Sequence, residues 1–100
     1  MVYAVDFDGT LCTNAYPDIG APRHALINFI KSCRQNGDQV ILWTCRSGAA
    51  LENAVRWCCD LGLSFDAVND NLEENIACHN NNSRKVNADF YIDDRNFHRD

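Results

Sequence analysis

The stretch Val2-Tyr3-Ala4-Val5-Asp6-Phe7-Asp8-Gly9-Thr10-Leu11 runs apolar from its first residue and then stops at two carboxylates. A short run rich in Val and Tyr reads as a buried strand, which places Asp6 and Asp8 at its carboxyl end. Two residues apart, they face the same side of an extended chain. Ionised carboxylates this close repel, and burial raises the cost unless a cation or hydrogen bonds offset it. A divalent metal is the usual solution. Gly9 and Thr10 then allow a sharp turn, glycine tolerating the positive φ that other residues resist. The competing reading is a strand that ends in a plain polar turn, for which Asp and Gly are ordinary residues.

Residues 11–20, with Asn14, Tyr16-Pro17-Asp18 and Gly20, read as a loop, and Pro22 suits the first turn of a helix. Leu26, Phe29, Ile30 and Cys33 recur at helical spacing, with Gly37 as the expected C-cap. Val40-Ile41-Leu42-Trp43 is a second apolar run and also ends on polar residues, Thr44-Cys45-Arg46-Ser47. Ser47 is placed to cap a second helix with an apolar face of Leu51, Ala54, Val55, Cys58 and Leu61, stopped by Gly62. Phe65 to Val68 reads as a weaker strand, Leu72 to Ala77 as a short helix, and Ala88 to Ile92 as a last strand ending at Asp93-Asp94-Arg95. Trp43 and Trp57 are expected in the core.

This alternation predicts one α/β domain over residues 1–100, a Rossmann-like three-layer sandwich on a small parallel sheet of about four strands. In such sheets ligands bind beyond the carboxyl ends of the strands, where strand order reverses. Three runs end in Asp6/Asp8, Thr44/Arg46 and Asp93/Asp94, and parallel strands bring those ends to one edge.

One hundred residues with 46% apolar content supply a single core. A net charge of −5 argues against broad electrostatic binding to nucleic acid or anionic membrane. The start Met1-Val2-Tyr3 lacks the features of a signal peptide, so a cytoplasmic protein with no membrane partner is expected. The six cysteines include no CxxC pair and read as reduced thiols, mostly buried.

Asp6, Asp8, Asp93 and Asp94 supply the hard oxygen ligands that Mg²⁺ prefers. Thr44 and the amides of Cys45 and Arg46 fall at an expected helix N-terminus, a ready anion site. Lys85 adds a positive charge that can reach the same edge. Carboxylates with a metal, facing a hydroxyl, helix-terminal amides and a lysine, describe a phosphoryl site.

Asp6 to Leu11 (DFDGTL), the apolar strand ending in Thr44, then Lys85, then Ile92 to Asp94 (IDD) resemble in order the four motifs of the haloacid dehalogenase (HAD) superfamily of phosphotransferases. ILWTCR, and the spacing from SRK through ADFYIDDRN, resemble more closely the small capless HAD hydrolases of bacteria and their phages. The resemblance spans nearly the whole chain. It implies a Mg²⁺-dependent phosphatase in which Asp6 is the nucleophile and forms an aspartyl-phosphate, with Asp8 as general acid and then base. It also implies Mg²⁺ held by Asp6, the Asp8 carbonyl, Asp93 and Asp94. Thr44 would bond the phosphoryl oxygens, and Lys85 would neutralise charge in transfer. Lys85 lies only eight residues before Asp93, closer than in many members, so either Arg84 or Lys85 serves as the cation. The chain stops soon after Asp94, as a minimal form or a shortened one.

Neither interval between motifs accommodates a cap domain, so the expected site is open. That suits a large phosphorylated substrate or a homo-oligomer in which another subunit completes the site. DDR after the last strand also resembles polynucleotide 3'-phosphatases, which would make a nucleic-acid end the substrate. A non-catalytic module that binds metal or phosphate is the rival from a different class. Arg46 is weighed evenly between substrate contact and solvent.

Overall fold

The structure, a computed structural model, describes residues 1–70 and 88–93. The expected helix at Leu72 to Ala77, and Lys85, Arg84, Asp94 and Arg95, lie outside the described residues. Strand β1 (Val2–Val5) is followed by α1 (His24–Gln35), β2 (Gln39–Leu42), α2 (Gly48–Asp60), β3 (Ala67–Val68) and β4 (Phe90–Ile92). The strands form one sheet in the order β3-β2-β1-β4. All pairings are parallel, and Val5 stands level with Leu42 on one side and Ile92 on the other. The molecule is thus an α/β fold on a small parallel sheet.

The strands are apolar because they are buried: Val5, Val40, Ile41 and Leu42 have no solvent exposure. Tyr3, Val5, Val40 and Leu42 join Ile27 and Ile30 of α1 and Ala54 and Cys58 of α2 in one cluster. Both described helices therefore pack on the same face. Ala4 and Ile41 are buried on the opposite face, with Val2, Ala67 and Ala88 against them. The described residues thus show two layers, and the third layer of the expected sandwich is not among them.

Each helix stops where its glycine was expected. Gly37 (φ 95) and Gly62 (φ 83) adopt the left-handed conformation. Asp38 N then bonds Cys33 O at 3.0 Å, and Leu63 N bonds Cys58 O at 2.9 Å. These bonds close the last turn as a Schellman motif and satisfy carbonyls that the helix leaves open. Ser47 is the N-cap of α2, although its side chain makes no capping bond.

Three expectations are corrected. Pro22 does not open α1; it pairs with Cys12 in an antiparallel bridge two residues earlier. Phe29 turns away from the core, which takes Ile27 instead, and packs edge-on against Tyr3 at 6.2 Å. Trp43 is 40% exposed because it lies just past the end of β2, whereas Trp57 is partly buried with its ring edge-on to Phe7. No described helix is long and apolar enough to cross a membrane.

The cysteines described are all free thiols: Cys12, Cys33 and Cys58 are buried, and Cys45 and Cys59 are exposed. Burial raises the pKa of Cys12 and pushes that of Cys58 up to about 12. A thiolate is the reactive form, so alkylation of the folded protein near pH 8 should modify Cys45 and Cys59 rapidly and spare Cys12 and Cys58, as read by peptide mass mapping. With the folded pKa raised, the thiol form of Cys58 favours the fold fully below about pH 8.5. Stability should therefore fall as pH rises from there towards about 12, as urea titrations at stepped pH would show.

Candidate active site

Parallel pairing continues one residue beyond each strand. Asp6 N donates to Ile92 O at 2.9 Å and Trp43 N to Val5 O at 2.8 Å. Trp43, Asp6 and Asp93 consequently occupy one row across β2, β1 and β4, at the roughly 4.8 Å spacing of neighbouring strands. Residues level in a parallel sheet share a face, so the register puts Asp6 and Asp93 level on one side of the sheet. β1 connects towards β2, whereas β4 lies on its other flank, so this pair sits where strand order reverses. Asp6 Oδ1 also accepts from the amide of Phe7 at 2.8 Å, which fixes the start of the turn.

Asp8 is held differently. Arg46 Nε donates to its Oδ2 and Nη2 to its Oδ1, each at 2.8 Å, a bidentate pair. Nη2 also bonds Asp18 O at 2.8 Å, and Nη1 bonds Pro17 O and Ala50 O, both at 3.2 Å. The guanidinium lies 5.0 Å from the ring centroids of both Phe7 and Tyr16. Bonding to Asp8 raises the Arg46 pKa above its ordinary value, outweighing the opposite effect of burial.

The expected role of Arg46 is therefore corrected: it is 2% exposed, and all five N–H groups of its guanidinium are engaged within the protein. No donor is left for a phosphoryl oxygen. The loop it grips is folded back on itself, with Thr13 N on Ala21 O and Arg23 N on Leu11 O, both at 2.9 Å.

The expected anion cradle is also rearranged. α2 begins at Gly48, so Thr44 and Cys45 precede the helix instead of opening it. Thr44 Oγ1 accepts from the Arg46 amide at 3.2 Å and keeps its own proton to donate. Cys45 is exposed. The sequence reading missed Asn69, which organises this loop from β3. Its Oδ1 accepts from Thr44 N at 2.7 Å, its Nδ2 donates to Arg46 O at 3.3 Å, and its own amide bonds Leu42 O. Asn69 adopts φ 52. An Asn after a short strand is the available signal, since Asn tolerates this region better than other side chains.

Of the sequence-predicted metal ligands, Asp6 and Asp93 lie level on adjacent strands, Asp8, expected to serve through its main-chain carbonyl, has its carboxylate on Arg46, and Asp94 lies outside the described residues. Among the described residues no three His, Cys, Asp or Glu side chains converge on a metal position. Asp6 and Asp93, level on adjacent strands, supply the residue type that fits Mg²⁺, which commonly takes one or two carboxylates from the protein and completes its shell with water. The buried hydroxyl of Thr10, in the adjoining turn, has no hydrogen-bond partner among the described residues.

Asn69→Gly retains the backbone conformation and loses both side-chain bonds, a cost of about 1–2 kcal/mol in urea unfolding. Asn69→Ala should cost about 1 kcal/mol more, because its Cβ strains the left-handed backbone.

No family model matches the sequence, and no curated protein matches it either. Among solved structures, the chain is similar to a conserved protein of Bacteroides thetaiotaomicron, with 42% identity and a TM-score of 0.85. The match covers 96% of this chain and 77% of that one. At that identity and coverage, the chain belongs to the same family as the conserved Bacteroides thetaiotaomicron protein.

Proposed function

We propose that the chain is a Mg²⁺-dependent phosphomonoester hydrolase, a small capless member of the HAD superfamily on a Rossmann-like sheet. The observation that carries this reading is the Asp6–Asp93 row at the reversal of strand order, with Asp8 two residues away held by a bidentate arginine. A plain polar turn after β1 explains neither feature. Acidic residues level on adjacent strands are oxygen ligands of the kind Mg²⁺ takes, and a third carboxylate, gripped by an arginine, is held for another task.

In this mechanism the Asp6 carboxylate attacks phosphorus and the ester P–O bond breaks. Asp8, protonated at that moment, delivers its proton to the leaving oxygen. The Asp8 carboxylate then takes a proton from water, which attacks the phosphorus of the aspartyl-phosphate and releases inorganic phosphate with Asp6 restored. Thr44 Oγ1 can donate to a phosphoryl oxygen while accepting from the Arg46 amide. Asp6, the Asp8 carbonyl and Asp93 are the described groups that would hold Mg²⁺, which when bound would offset the charge of the carboxylates and of the phosphoryl group. Lys85 and Asp94 complete the set that the resemblance implies. The carboxyl edge is flanked by the 13–21 loop, so the reading favours substrates that bring their own bulk.

Hydrolysis of an aryl phosphate should require Mg²⁺, cease on chelation and return on adding the metal back. Asp6→Asn should lower kcat by at least ~10³-fold, and Asp93→Asn should raise the Mg²⁺ concentration needed for half-maximal rate. Undiminished turnover by Asp6→Asn, or an inert parent across aryl, nucleotide and sugar phosphates, contradicts the proposal.

A further inference from the structure

We propose that Arg46 is a positioning residue that fixes the carboxylate of Asp8 for proton transfer and sets its orientation from the 13–21 loop and the first turn of α2. The inference rests on the phosphatase reading. An arginine beside a phosphoryl site ordinarily serves the phosphate directly. Here that role is closed, because every guanidinium N–H already has a protein acceptor. What remains is a rigid fork. The Phe7 and Tyr16 ring centroids each lie 5.0 Å from its central carbon, and the Pro17, Asp18 and Ala50 carbonyls fix its edges.

A carboxylate has about four acceptor positions. Arg46 takes one on each oxygen of Asp8 and leaves one on each for a travelling proton. With the Asp8 side chain 19% exposed against 1% for Arg46, the arginine side is closed and the exposure that the pair retains belongs to Asp8. The same guanidinium that aligns Asp8 also holds two carbonyls of the loop flanking that edge. Loop placement and acid orientation are thereby one variable.

A role confined to stability would lower the rate on every ester alike; a role in proton delivery would not. Esters with acidic leaving alcohols, such as nitrophenyl phosphate, depart without help, whereas alkyl phosphates need the proton. We therefore compare kcat/KM, which reads the steps up to the aspartyl-phosphate, along a leaving-group series. Arg46→Lys and Arg46→Gln should lose ~10²-fold or more on alkyl phosphates and only a few-fold on nitrophenyl phosphate. Asp8→Asn should show the same slope, and Arg46→Lys combined with Asp8→Asn should be no worse than Asp8→Asn alone.

A flat loss across the series in an active parent overturns the role of Arg46 and leaves the phosphatase standing. A parent inert on every ester overturns both. Losing one member of a buried pair can unfold the chain. If neither Arg46 variant folds, the parent is read by ¹⁵N NMR. A slowly exchanging Arg46 Nε–H that becomes fast in Asp8→Asn supports the proposal, and one that is fast in the parent overturns it.

Discussion

The central strand has parallel neighbours on both sides, and the rest of the molecule follows from that constraint. Val5 has no solvent exposure and stands level with Leu42 and Ile92, so whatever follows these three residues must emerge at one edge. The chain places Asp6, Trp43 and Asp93 there. Parallel pairing needs crossovers, and the crossovers α1 and α2 supply the apolar cover that makes burial of β1 and β2 favourable. The same pairing that builds the core therefore brings carboxylates from opposite ends of the chain together.

Asp6 and Asp8, two residues apart, have been given different surroundings. Asp8 is neutralised from within by a guanidinium that also ties down the 13–21 loop and α2. Buried pairs of this kind add modest net stability, because desolvation opposes the attraction, yet removing one partner typically costs about 3–5 kcal/mol. The pair is better understood as fixing geometry. Asp6, in contrast, shares its row with Asp93.

Much of this was legible in the sequence because it is written locally. The apolar run into Asp6, the repeated strand-to-polar endings and the glycines at 37 and 62 each declare themselves within a few residues. The level placement of Asp6 and Asp93 followed from parallel topology alone. The role of Arg46 was not legible, because its partners lie 4 to 38 residues away and depend on a loop that folds back without any hydrophobic periodicity. Asn69 was missed for the same reason. Trp43 and Phe29 were assigned to the core on apolarity, but the end of β2 and the rotation of α1 towards Ile27 leave both partly in solvent. The third layer of the expected sandwich is not among the described residues.

The central claim is that Asp6 accepts a phosphoryl group from substrate. The most direct measurement is borohydride reduction of the enzyme quenched during turnover with Mg²⁺, followed by mass mapping of the peptide around Asp6. An acyl phosphate at Asp6 is reduced to homoserine, and the account predicts that change at position 6, dependent on both substrate and Mg²⁺. Turnover that proceeds with Asp6 unmodified, or reduction at a different carboxylate, would contradict it.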